Sequence, residues 1–367
     1  MKDRTLSFLQ SLYDPEQCGF KFHPQGNVTL LSTCFGVQSV YLVDRMDIVE
    51  SEKTGSFISQ QQRDDGIFVD RNFCRNQLSG LQSTEYIEWQ FTFFSLIALD
   101  MLGVQPKNEL HFLKVFQEKD YIVQWLDSLN WDDFWYCSNE IMFLLFFFTH
   151  SQLGAGDSYA CDTAIAQIFE YLNKSQEETT GYWGTEVRTR PLNGMFGAAH
   201  IYLFYRFFKR EIQYEEQVVL STLALQLPDG LYSPGGGGAC EDYDGVEILV
   251  RMLNSCPPLE SNIQKSLIQT YQKIIKAGGR FGGFPYRLPE NNYIAYAKRK
   301  INQFLGRTTY RYSGWELMEC DMYSPDIWGT YFRLMTIALI EISLELPKSF
   351  SYNSYPLPGW GYLVDPH

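Results

Sequence analysis

The stretch "QLPDGLY", residues 226–232, sets the reading of the whole chain. It has the form Gln226-x3-Gly230-x-Tyr232, and two other stretches repeat that form. "QRDDGIF" (62–68) gives Gln62-x3-Gly66-x-Phe68, and "EETTGYW" (177–183) gives Glu177-x3-Gly181-x-Trp183. Weaker glycine–aromatic turns occur at Gly19-Phe20 and Gly282-Gly283-Phe284. Glycine suits such turns because it adopts positive φ without steric cost. The glycines at 19, 66, 181, 230 and 283 are separated by 47, 115, 49 and 53 residues. The long step leaves room for a degenerate unit near "NWDDFW" (130–135), so six units of about fifty residues fit the chain. Self-similarity at such a period marks a repeat architecture.

Each unit reads as a helix pair. Apolar residues recur at helical spacing over 84–102, 109–126, 138–150, 158–173, 193–209, 245–254, 261–276 and 326–345. Strand-like alternation is almost absent. A helix pair cannot bury its apolar face alone, so the pairs must stack, and closing the stack into a ring hides both ends. The expected fold is all-α, an (α/α)6 toroid of about six helix pairs around a central cavity. The 367 residues are read as one domain, 1–367, with 347–367 as a Pro- and aromatic-rich tail packing over one mouth.

Composition narrows the function. A net charge of −13 at pH 7 argues against nucleic acid, which calls for a basic footprint. The eight cysteines form no CxxC pair and are expected to be reduced thiols, many of them in the core. The opening residues lack the apolar core of a signal peptide, and the longest apolar run, "IMFLLFFF" (141–148), is far shorter than a membrane span. A soluble, cytoplasmic protein without transmembrane segments is expected, with peripheral membrane contact left open. Aromatic residues form 16% of the chain, enough for a bulky core or for a pocket walled by rings.

The Gln-x3-Gly-x-aromatic turns resemble the QW repeat of the terpene cyclase and prenyltransferase toroids, the squalene-hopene cyclase-like superfamily. In that family the glutamine caps a helix end and stacks on the ring. Two of the three copies here lack Trp, and one begins with Glu. The stretch "GGGGACEDYDGVEILV" (235–250) is similar to the Gly-rich turn and D-x-D-D motif of class II cyclases. Asp242-Tyr243-Asp244 falls in register with D-x-D, while Gly245 stands where the family has its third Asp. The resemblance implies that Asp244 donates a proton to an alkene or epoxide, with Asp242 or Glu241 as its hydrogen-bonding partner.

The residues support acid chemistry without the resemblance. Crowded carboxylates cannot all ionise cheaply, so one keeps its proton and serves as a general acid while a neighbour near the helix N-terminus stays charged. Ordinary helix capping is the competing explanation. The expected substrate-binding set is Trp183, Tyr232, Tyr243, Trp131, Trp135, His200, Arg188, Arg190 and Trp328. In it, Arg188 and Arg190 are either a clamp for a diphosphate or carboxylate, or surface residues. His200 is either a wall residue or a satisfied core histidine. "CEDYD" lacks zinc-site spacing, so no metal or cofactor is expected, with Mg2+ entering only on a diphosphate-bearing substrate.

Three functions stay open. The first is a proton-initiated terpenoid cyclase, an isomerase or lyase acting on a linear isoprenoid, with aromatic walls that stabilise carbocations. The second is a carbohydrate-active toroid (glycoside hydrolase, lyase or epimerase) using paired carboxylates. The third is a toroid that binds without catalysis.

Overall fold

The computed structural model describes residues 1–74, 83–118, 120–152, 158–278, 282–289 and 293–363. Its helices, in chain order, are α1 (Lys2–Leu12), α2 (Leu30–Leu42), α3 (Ser51–Ser59), α4 (Thr84–Leu102), α5 (Tyr121–Ser128), α6 (Phe134–Gln152) and α7 (Ser158–Ser175). They continue with α8 (Pro191–Phe207), α9 (Glu215–Leu225), α10 (Ala239–Met252), α11 (Glu260–Gly278), α12 (Tyr293–Phe304) and α13 (Ile327–Ser343). Strands are limited, among the described residues, to two short antiparallel pairs at Tyr13–Asp14/Gly19–Phe20 and Thr309–Arg311/Glu319–Asp321.

The fold is an α/α toroid. Helices α2, α4, α6, α8, α10 and α13 each pack on the next, and α13 returns to pack on α2, so the inner ring closes. The outer helices α1, α3, α5, α7, α9 and α11 alternate with them along the chain, which gives the six expected pairs. Helix α12 is an addition between α11 and α13. Inner and outer helices differ in sequence for a physical reason. An inner helix meets the outer layer on one side and the ring centre on the other. Accordingly α2, "LLSTCFGVQSVYL", is buried at all but one of its positions and shows no amphipathic stripe. Outer helix α11 buries only one face, with Ile263, Ser266, Leu267, Thr270 and Ile274 inward. Periodicity therefore finds α11 and misses α2. The expected helix over 109–126 is instead a 3-10 stretch at His111–Gln117 followed by the short α5.

The repeating turns lie where an outer helix passes to an inner one. Gly66, Gly181 and Gly230 adopt φ of +92°, +75° and +87°, a region that a side chain rarely enters. The Gln226 side-chain amide lies 3.1 Å from the Gly230 carbonyl and 3.0 Å from that of Ser266, tying the turn to α11. Gln62 binds the Gly66 and Asn108 carbonyls in the same way. In the third copy the register differs: Gln176, not Glu177, reaches the Gly181 carbonyl, at 2.7 Å. Glu177 instead holds Thr179, Thr180 and Arg188. Gln226→Ala removes the amide that bridges the turn to α11, while the Gly230 carbonyl keeps the Thr270 hydroxyl at 2.6 Å, so a loss of ~1 kcal/mol is expected, read as a lower urea midpoint. An unchanged midpoint would show that the turn does not depend on this amide.

The segment after α13 enters the ring. Trp360 packs on Phe94, Phe332 and Trp328 with ring centroids 4.9, 4.9 and 5.8 Å away. The Tyr355 hydroxyl binds Asp100 near the end of α4, and Arg251 near the end of α10 donates to the Tyr362 carbonyl at 2.7 Å. Residues 355–363 thus fill the ring at the C-terminal ends of the inner helices. Residues 364–367 of the expected tail lie outside the described residues.

Candidate functional site

A cavity of about 170 Å³ remains at the opposite end, where the inner helices begin. Tyr86 and Gln90 from α4, Trp135, Tyr136 and Asn139 from α6, His200 from α8, Cys240 from α10 and Trp328 from α13 line it. Trp360 also contributes to the wall, as do Tyr286, Tyr310, Tyr312 and Ser313 from the segments flanking α12. None of these lining residues is a carboxylate. Burial raises the hydroxyls of Tyr86, Tyr286, Tyr310 and Tyr312 and the thiol of Cys240 well above their ordinary values, so this wall is uncharged at neutral pH.

The glycine run builds the acidic turn. Gly235, Gly236 and Gly237 have φ of +80°, +101° and +72°. A side chain at Gly236 would collide with the Leu288 carbonyl, and one at Gly237 with the Asp242 carboxylate. The turn delivers α10 with its acids buried, and helical geometry then separates them, because successive side chains point about 100° apart. Glu241 accepts from the Tyr286 hydroxyl at 2.5 Å. Asp242 accepts from the Tyr232 amide at 2.7 Å and pairs with Arg333 at 2.6 Å, both members of the pair being fully buried. Burial still lifts Asp242 to about 6 against the pull of Arg333. Neither Glu241 nor Asp242 is the hydrogen-bonding partner expected for Asp244.

Asp244 stands apart. It is 1% exposed, and neither carboxylate oxygen has a hydrogen-bond partner among the described residues. Burial, followed by the fields of Glu241, Glu247 and Asp242, pushes its carboxyl well above the usual carboxylate range and so favours the protonated form. Its Oδ1 lies 3.8 Å from Nε2 of His200, too long for a hydrogen bond. Nδ1 of His200 lies 2.9 Å from the Ser138 hydroxyl. Burial lowers His200 to about 3, so the ring is neutral and the contact is not an ion pair. Cys240, one turn earlier on α10, and His200 both line the cavity; Asp244 is not part of that lining and meets the wall at His200.

Of the expected binding residues, Trp135, His200 and Trp328 reach the cavity. The others belong to the frame. Trp183 is fully buried and donates to the Leu172 carbonyl, and Trp131 donates to Leu126. Tyr232 supports the turn through its amide, and Tyr243 binds Glu247. Arg188 pairs with Glu177, and Arg190 with Glu186 and the Asp132 carbonyl, so they form no clamp in the cavity. Sequence reading missed Tyr86, Tyr286, Tyr310, Tyr312 and Trp360, which come together only when the ring closes. Among the described residues no group of three or more His, Cys, Asp or Glu is gathered to hold a metal ion.

Glu140, near the start of α6, is partly buried and carries its own titration. Burial, aided by the charge of Glu85, lifts it to about 7. A carboxyl raised on folding stabilises the native state fully below its unfolded value, near 4.5, and that contribution is lost as pH rises through 7. Glu140→Gln should therefore match wild type near pH 4 and exceed its stability by ~1 to 3 kcal/mol at pH 8. Parallel stability–pH curves would refute the shift.

Residues 1–73 match the family model of the prenyltransferase alpha-alpha toroid domain. The chain resembles the prenyltransferase toroids. The geranylgeranyl transferase type-2 subunit beta of Saccharomyces cerevisiae is 26% identical over 203 residues, covering 54% of this chain and 53% of that protein. The chain thus spans about half the length of the curated relative that it matches. A variant of the type II terpene cyclase MstE from Scytonema, solved with geranylgeranyl dihydroxybenzoate, aligns over 94% of this chain and 97% of its own, with a TM-score of 0.48 and 11% identity.

Proposed function

We propose that this toroid is an isoprenoid enzyme that starts cyclisation by protonation, with Asp244 as the proton source. The observation that carries the reading is a buried carboxyl with no hydrogen-bond partner among the described residues, set 3.8 Å from His200 of the aromatic wall, where burial favours its protonated form. A carboxylic acid kept protonated in an apolar site is a strong latent donor. The proton adds to a terminal alkene of the bound chain, ring bonds form as π-electrons attack the resulting cation, and a proton leaves the last cation. The product is an isomer of the substrate, and Asp244 regains its proton. Trp135, Trp328 and Trp360 offer ring faces to the passing cation, worth ~2 kcal/mol or more for a desolvated contact. The similarity to a geranylgeranyl transferase subunit fits an isoprenoid ligand. A lining free of carboxylates disfavours glycoside hydrolysis, which needs two of them across the scissile bond.

A binding chamber without chemistry is the second reading. It is favoured by the position of Asp244 behind the wall rather than in it. The experiment is incubation with linear isoprenoids from farnesyl to squalene-sized chains, and separately with oligosaccharides, with products read by mass spectrometry. Cyclic isomers support the first reading, and binding with unchanged chains supports the second. Turnover of sugars alone overturns both.

A further inference from the structure

Helix α12 is built the wrong way round for a soluble surface. Ile294, Ile301, Phe304 and Leu305 are 75%, 61%, 90% and 50% exposed. Their spacing, i, i+7, i+10 and i+11, places them on one stripe of the helix. The polar side faces the protein instead. Gln303 donates to Asp321 at 2.8 Å, and the Arg299 guanidinium lies 5.3 Å over the ring of Tyr323. Among the described residues, five of the eight large exposed hydrophobics fall between Ile294 and Leu305.

Charge identifies the occupant. The chain carries −13 overall, yet Tyr293 to Arg307 contains Lys298, Arg299, Lys300 and Arg307 and no acid. Lys298 and Lys300 are exposed on either side of the apolar stripe, where long stems can reach outward while the stripe is buried. A protein partner would need only the stripe, whereas basic residues flanking it suit a plane of phosphate groups. No helix among the described residues is long and apolar enough to cross a membrane, so the arrangement suits lying in one leaflet. The segments on either side of α12 supply Tyr286, Tyr310 and Tyr312 to the cavity.

We infer that α12 is an interfacial helix that docks this toroid on an anionic membrane surface, with its apolar stripe in the acyl boundary and Lys298 and Lys300 on lipid phosphates. The test is co-sedimentation of the full chain with phosphatidylcholine vesicles, with and without phosphatidylserine. Wild type should bind the anionic vesicles, and more weakly as salt rises. Ile301→Ser/Phe304→Ser should cut binding about tenfold or more. Lys298→Gln/Lys300→Gln should cut it roughly tenfold on anionic vesicles and leave neutral ones unaffected. These side chains are exposed, so circular dichroism and the melting temperature should not move. Failure of wild type to sediment with anionic vesicles would overturn the inference, as would full binding by the serine variant. Light scattering that shows a dimer broken by the serine variant, with vesicle binding untouched, would assign the stripe to a second copy and overturn it too. No step depends on turnover, so this outcome is separate from the fate of the cyclase reading.

Discussion

Asp244→Asn is expected to lower turnover of an isoprenoid substrate by at least about 10³-fold while leaving the fold intact. Asparagine keeps the shape of the side chain and removes the transferable proton. The usual cost of such a change, a broken hydrogen bond, is absent because neither Asp244 oxygen has a hydrogen-bond partner among the described residues. Asparagine is uncharged, as the protonated acid is, so the fields of Glu241, Glu247 and Asp242 do not penalise it. The variant should therefore melt close to the wild-type temperature, which separates loss of chemistry from loss of structure. Binding of the linear chain, followed by tryptophan fluorescence, should persist. An asparagine variant with wild-type turnover would remove Asp244 from the mechanism.

The largest effect on stability is expected at Arg333. Its guanidinium is fully buried, 2.6 Å from an equally buried Asp242, and also approaches the Tyr286 carbonyl at 3.3 Å. Arg333→Met leaves Asp242 buried beside Glu241 with its ion-pair partner gone, a change that costs ~3 to 5 kcal/mol. Urea denaturation at neutral pH reads it directly. Without the guanidinium, Asp242 should hold its proton above the native value of about 6, so the loss should shrink as pH falls towards 5. Pairing Arg333→Met with Asp242→Asn should restore part of the stability, because no charge is then stranded. A double variant no more stable than Arg333→Met would show that the guanidinium acts through packing.

These two residues show where sequence reading ends. "CEDYD" announces three acids in four positions, and the four glycines announce a special turn. Only the helix sorts the acids, sending Glu241 to Tyr286, Asp242 to Arg333 and Asp244 to His200. Arg333 and Tyr286 lie far along the chain, and no local pattern links them to the turn. The ring itself was legible because glycine turns recur about every fifty residues and helices such as α11 at Glu260–Gly278 carry a clear apolar stripe. Helix α2 was not, since burial on every side erases the stripe that periodicity detects. Helix α12 was passed over although its apolar residues recur at helical spacing; what the spacing could not tell is that the stripe faces outward. The repeated turns also misled in one respect. Trp183 and Tyr232 were read as substrate contacts, yet the Trp183 ring donates to the Leu172 carbonyl of α7 and the Tyr232 hydroxyl lies 3.3 Å from that of Ser266 on α11.

The filling of the ring by residues 355–363 has a consequence for biosynthesis. Helices α2 to α10 leave the ribosome before α13 closes the circle and before Trp360 reaches its place among Phe94, Phe332 and Trp328. Through most of translation the inward aromatic faces of the first five ring helices have no completed centre to pack on. Such a nascent chain is sticky, and its last contacts join segments from opposite ends of the sequence, which slows closure. Chains that stall before α13 should be chaperone-bound or aggregated rather than partly functional.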